Sequence, residues 1–106
     1  MKKDSVNKDA EVARKVKNIL EAIKESAQGG AVELRIPLYG VIQCVVGVNH
    51  RRGNPANQVE MSAEALIQLS ADPSLWHQLV ESGQIQASGQ LSDLSQVFLT
   101  AFQKTP

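Results

Sequence analysis

Glu81-Ser82-Gly83-Gln84-Ile85-Gln86-Ala87-Ser88-Gly89 contains a helix stop, a strand and a turn in nine residues. Ser82-Gly83 closes the helical pattern before it, because glycine enters the left-handed conformation that ends helices at no steric cost. Residues 84–88 then alternate polar and apolar, the period of a half-buried strand, and Gly89 turns the chain. A short strand is thereby set between two helical stretches, which argues for a layer of helices on a sheet rather than a helical bundle.

Upstream, Leu75, Trp76, Leu79 and Val80 form an apolar helical stripe, with Asp72 as its cap and Pro73 in the first-turn position that tolerates a missing N–H. Before that, Ser62-Ala63-Glu64-Ala65 opens another helix with an acid in its first turn, and Leu66, Ile67 and Leu69 follow. Downstream, Leu91, Leu94, Val97, Phe98, Ala101 and Phe102 predict a closing apolar helix.

The first half of the chain supplies the rest of the sheet. Val12, Val16, Ile19, Leu20 and Ile23 recur at helical spacing, predicting a helix over residues 9–27 with Asp9 as N-cap and Gln28-Gly29-Gly30 as its stop. The first eight residues are expected to be a disordered tail. Val32-Glu33-Leu34-Arg35-Ile36 alternates as a strand, and Pro37 belongs at its end because it cannot donate to a ladder. Residues 41–48 are rich in β-branched side chains and predict a more buried second strand, with a bulge at Gly47. Residues 49–55 read as an exposed loop and residues 58–61 as a short strand. The predicted order is α-β-β-β-α-α-β-α over a single domain, residues 1–106. The fold class is α+β, with helices packed on one face of a small, mainly antiparallel sheet.

With 106 residues, 42% hydrophobic and 21% charged, the chain has the profile of one compact domain. Its formal charge of zero is unevenly distributed. Residues 1–52 carry ten Lys/Arg against six Asp/Glu, and residues 53–106 carry one Lys against five acids. The basic half raises nucleic acid as a partner. Glu21 and Glu25 interrupt its helix face, however, and one Trp, one Tyr and two Phe are too few for a stacking platform, so nucleic-acid binding is disfavoured. The Arg51-Arg52 loop, flanked by His50, is the one concentrated cationic feature, with docking on an acidic membrane as an accessory role. No stretch approaches the roughly 20 apolar residues of a membrane span, and the charged start lacks a signal-peptide core, so a cytoplasmic location is expected.

Chemistry-bearing motifs are scarce. His50 and His77 have no metal-ligand spacing to one another or to Cys44, the single cysteine, and Cys44 sits in an apolar run that suits a buried hydrophobe. There is no P-loop and no nucleophile elbow. No catalytic residue, metal site or cofactor is predicted, and the expected protein is not an enzyme. Apolar bulk is instead concentrated in the second half. Val97-Phe98-Leu99 is a run of three that cannot all face one core, so part of it should line a cavity, meet a partner or lie exposed.

Residues 58–66, Gln58-Val59-Glu60-Met61-Ser62-Ala63-Glu64-Ala65-Leu66, followed by a helix pair, the Ser82-to-Gly89 element and a closing helix with Leu94 and Phe98, resemble the sterol carrier protein type-two family. The C-terminal domain of alkyl sulfatases has a similar cadence. The resemblance covers about residues 58–102. It implies a pocket between sheet and helices lined by apolar side chains, and the matching positions are Leu66, Leu69, Trp76, Leu79, Phe98, Leu99 and Phe102. The expected function is non-catalytic binding of a lipid or another elongated apolar molecule. The alternative is an interaction domain that forms a homodimer or docks on a larger enzyme through an apolar helix surface.

Overall fold

The computed structural model describes residues 2–47 and 56–103. Its elements follow the expected order: α1 (Lys2–Ser26), β1 (Val32–Ile36), β2 (Gly40–Cys44), β3 (Gln58–Met61), α2 (Ala63–Ala71), a 3-10 turn (Pro73–Leu75), α3 (Trp76–Glu81), β4 (Ile85–Ser88) and α4 (Ser95–Phe102). The four strands are arranged β2-β1-β3-β4. The β1–β2 and β3–β4 pairs are antiparallel and the central β1–β3 pair is parallel, so the sheet is mixed, with two of its three pairings antiparallel. Leu34 opposite Val59 and Met61 opposite Ile85 place their apolar groups on the helix-covered face. Glu33, Arg35, Glu60 and Gln86 point the other way, and Arg35 is paired with Glu33 at 2.8 Å. One wet face and one packed face is the usual economy of a largely antiparallel sheet.

Local chemistry sets most boundaries. Ser62 caps α2 by accepting the Ala65 N–H at 3.1 Å, and Asp72 caps the 3-10 turn by accepting that of Ser74 at 3.1 Å. At the end of α3, Gln84 N–H donates to the Leu79 carbonyl and Gly83 N–H to that of Val80, with Gly83 at φ 83°. This is the paired bonding of a Schellman stop, and it delivers the chain directly into β4.

Three boundaries and the burial of one strand differ from the sequence reading. Helix α1 starts at Lys2, ahead of the expected start at Asp9. Residues 2–8 contain neither Gly nor Pro, and nothing there halts a helix. Strand β2 stops at Cys44 instead of running to residue 48. Val45 is at φ 72°, clamped by its N–H donating to the Ala27 carbonyl at 2.8 Å and its own carbonyl accepting from Ala31 at 3.0 Å. The expected bulge gives way to this backbone clamp, and Val46 beyond it is exposed. Gly29, at φ 143°, sits against the same Val45 carbonyl, where a Cβ would collide. β2 is also an edge strand with Val41 half exposed, not the more buried strand expected. Leu91 precedes α4 instead of joining it, because its N–H is held by the Asn57 side chain at 2.8 Å. The predicted 49–55 loop, with His50, Arg51 and Arg52, lies outside the described residues.

The β1–β2 connection is a tight turn in which Tyr39 N–H donates to the Ile36 carbonyl at 2.9 Å. Pro37 ends β1 as expected and occupies the second turn position. Leu38 follows at φ 74°, the conformation of a type II turn, where Gly or Asn is the usual residue. For a leucine this conformation costs on the order of 1–2 kcal/mol.

The core lies between the sheet and α1, α2 and α4. Val16, Leu20 and Ile23 of α1 meet Leu34 and Ile36 of β1, Leu66 and Leu69 of α2, and Phe98 of α4 in one buried cluster. Cys44 is fully buried, and burial pushes its thiol up to about 11, so it stays protonated and acts as a small hydrophobe.

Candidate ligand site

The closing helix carries the side chains on which the site turns. Of the run Val97-Phe98-Leu99, only Phe98 is buried, and its neighbours are half-buried on either flank, as the helical period requires. Phe98 stands between two other rings: its centroid is 6.0 Å from that of Trp76 and 5.9 Å from that of Phe102, tilted 34° and 35°. Both separations fall within the range of favourable aromatic pairs. The three rings form a ladder from the core, at Trp76, to the surface, at Phe102.

Leu66, Leu69, Trp76, Leu79 and Phe98 belong to one continuous core cluster, and each is between 0% and 4% exposed. A side chain bordering a void wide enough for water would show accessible surface, so these five positions are close-packed against neighbouring atoms. Leu99 and Phe102 stand apart from them. They line an open cleft of about 490 Å³ where the C-terminal end of α4 diverges from residues 70–74, with Gln103 at its rim.

The side chains of Ser70, Asp72 and Ser74 form their hydrogen bonds locally, within this segment and the turn before it. Asp72 accepts from both the N–H and the Oγ of Ser74, at 3.1 and 2.6 Å, and the Ser70 hydroxyl donates to the Ile67 carbonyl at 2.7 Å. The walls therefore offer contact area more than hydrogen bonds. Residues 70–74 were not among the sequence-derived candidates. The signal that marks them is the Asp72-Pro73 break, since two helices that separate at a proline leave a groove beside it.

At the start of α4, the Asp93 carboxylate accepts the Ser95 N–H at 2.9 Å, and this bond holds its pKa below the ordinary carboxylate value. His77 is exposed on α3. Among the described residues no group of three or more His, Cys, Asp or Glu side chains is placed to hold a metal. None of the described helices is long and apolar enough to cross a membrane.

An α+β layer with helices on one face of a mixed sheet, closed by an aromatic-bearing helix, is the sterol-carrier-like architecture. The chain belongs to the family described as Bacterial SCP ortholog, whose model matches residues 8–99. That match takes in α1, β1 and β2, well beyond the 58–102 segment whose motifs carried the resemblance. Among solved structures, the apo form of sterol carrier protein 2 from Yarrowia lipolytica is similar, at 14% identity and a TM-score of 0.42 over 86% of this chain and 81% of that one. No curated protein sequence matches the chain.

Proposed function

We propose that the protein is a non-catalytic carrier, in the cytoplasm, for a lipid or another elongated apolar molecule, with the α2–α4 cleft as the point of entry. Family membership favours an apolar ligand, and the aromatic ladder supports the route. The open cleft reaches Phe102, and the ring contacts from Phe102 through Phe98 to Trp76 continue inward. A ligand following that line replaces side-chain contacts with its own methylenes, which requires α4 to swing outward. That helix has only eight residues, and Phe98 is the one among them that is buried. Leu66, Leu69, Trp76, Leu79, Phe98, Leu99 and Phe102 would then line the occupied site, the two cleft residues meeting the ligand first.

Each buried methylene contributes roughly 0.8 kcal/mol, so on the order of ten of them yields about 8 kcal/mol before the cost of displacing α4. Titration with a fluorescent fatty-acyl probe, together with native mass spectrometry of the purified chain, tests the reading. Saturable binding is expected, and Phe102→Ala should weaken it about ten- to hundredfold, the value of burying one large apolar side chain. A protein that neither retains nor binds an acyl ligand would overturn it. If such a protein self-associated in the ultracentrifuge, the interaction-domain reading would take its place.

A further inference from the structure

Leu38 is disfavoured on two counts, and nothing inside the fold compensates for either. Its backbone is in the left-handed region at φ 74°, and its side chain is 102% exposed, so no packing offsets the strain. Glycine or asparagine would make the same turn without penalty and without an apolar surface. Tyr39 beside it is 40% exposed, and Val41, two residues on, projects from the outer face of β2 at 48%. Leu38 stands fully exposed at the turn of the β1–β2 hairpin, with Tyr39 beside it at the rim of an open cleft shared with Glu60 and Gln86, and Val41 opposite Arg35 on the outer face of the sheet.

We infer that the hairpin tip docks the protein on a lipid bilayer, with Leu38 entering the acyl boundary and Tyr39 at the level of the headgroups. The size of the patch selects a bilayer over a protein partner. Leu38, Tyr39 and Val41 together present a few hundred Å² at most, well below the roughly 800 Å² that each side of a specific protein interface buries. The adjoining sheet face cannot extend the patch, because it carries Arg35, Glu33, Glu60 and Gln86. A bilayer makes no such demand, since a few inserted side chains suffice and a tyrosine with an apolar ring and a wet hydroxyl suits the interface. Arg35 is neutralised by its 2.8 Å pair with Glu33, so the contact does not depend on anionic lipid. The inference rests on the carrier reading only in that a carrier must reach a membrane to load and unload.

Flotation of the full chain with phosphatidylcholine vesicles, with and without added phosphatidylglycerol, tests it. The wild-type chain should float with both. Leu38→Gly should reduce association about tenfold, the value of one buried leucine, while its melting temperature stays the same or rises because glycine relieves the turn. The fatty-acyl titration should be the same for both proteins. If neither protein binds acyl probe but flotation still depends on Leu38, the carrier reading fails and the tip stands. Failure of the wild-type chain to float, equal flotation of Leu38→Gly, or flotation that requires anionic lipid and vanishes with salt would overturn the tip assignment.

Discussion

Phe98→Ala is expected to lower the unfolding free energy by about 3–5 kcal/mol, the usual result of removing a buried aromatic side chain. A chain of this size has on the order of 5–15 kcal/mol in total, so the variant should be marginal at room temperature. The effect is large because Phe98 has no exposed surface and two ring partners, and because it is the only fully buried side chain of α4. Removing it leaves that helix attached mainly by its half-buried flanks. Urea unfolding followed by Trp76 fluorescence measures the loss directly. A change below about 1 kcal/mol would show that the aromatic ladder is not what holds α4 in place.

The second large effect is expected at Asn57, one of two polar residues buried in the described structure. Its Nδ2 donates to the Ala31 carbonyl at 3.0 Å, its Oδ1 accepts the Leu91 N–H at 2.8 Å, and its own carbonyl accepts from Glu33 at 3.0 Å. One side chain thus ties the entrance of β1, the entrance of β3 and the segment leading to α4. Gly89, at φ 106°, leaves the room it needs, since a Cβ there would run into Oδ1. Asn57→Leu leaves the buried bond to the Ala31 carbonyl and the part-buried bond from the Leu91 N–H unmade, which should cost about 2–4 kcal/mol. Asn57→Asp should be destabilised at neutral pH for a different reason: its carboxylate would face the Ala31 carbonyl. Burial beside that carbonyl raises the folded-state pKa of the new acid, so the penalty is present above that pKa and shrinks as pH falls through it. Stability curves between pH 4 and 8 that run parallel to wild type would refute this account of the site.

The elements most legible in the sequence were those set by local chemistry. Ser62, Asp72-Pro73, Ser82-Gly83 and Pro37 each act within a few residues of themselves, and each stands where the sequence placed it. The end of β2 was hidden, because residues 45–48 have strong β propensity and only the distant carbonyl of Ala27 and amide of Ala31 turn Val45 out of the strand. Asn57 was hidden for a similar reason, since a lone asparagine before a strand looks like any loop residue until its partners 26 and 34 positions away are known. At the candidate site, the sequence identified the apolar side chains of α2, α3 and α4. It could not divide them between packed core and open cleft, because a filled interior and a lined cavity call for the same residue types. The helical period alone separates Leu99, on the flank, from Phe98.

The parallel β1–β3 pairing has a consequence for the time course of folding. The β1–β2 hairpin closes through a four-residue turn, an event of microseconds, whereas the bond from Asn57 to Ala31 spans 26 residues of chain. Loop-closure entropy has to be met there before any contact across the pairing returns free energy. The hairpin and the α2–α3 segment are therefore expected to gain protection in pulsed hydrogen exchange ahead of the Glu33 and Leu91 amides. Simultaneous protection of all of them would contradict this order. On this scheme the sheet is assembled from two locally competent halves, and their union at Asn57 is the step that commits the chain to its native state.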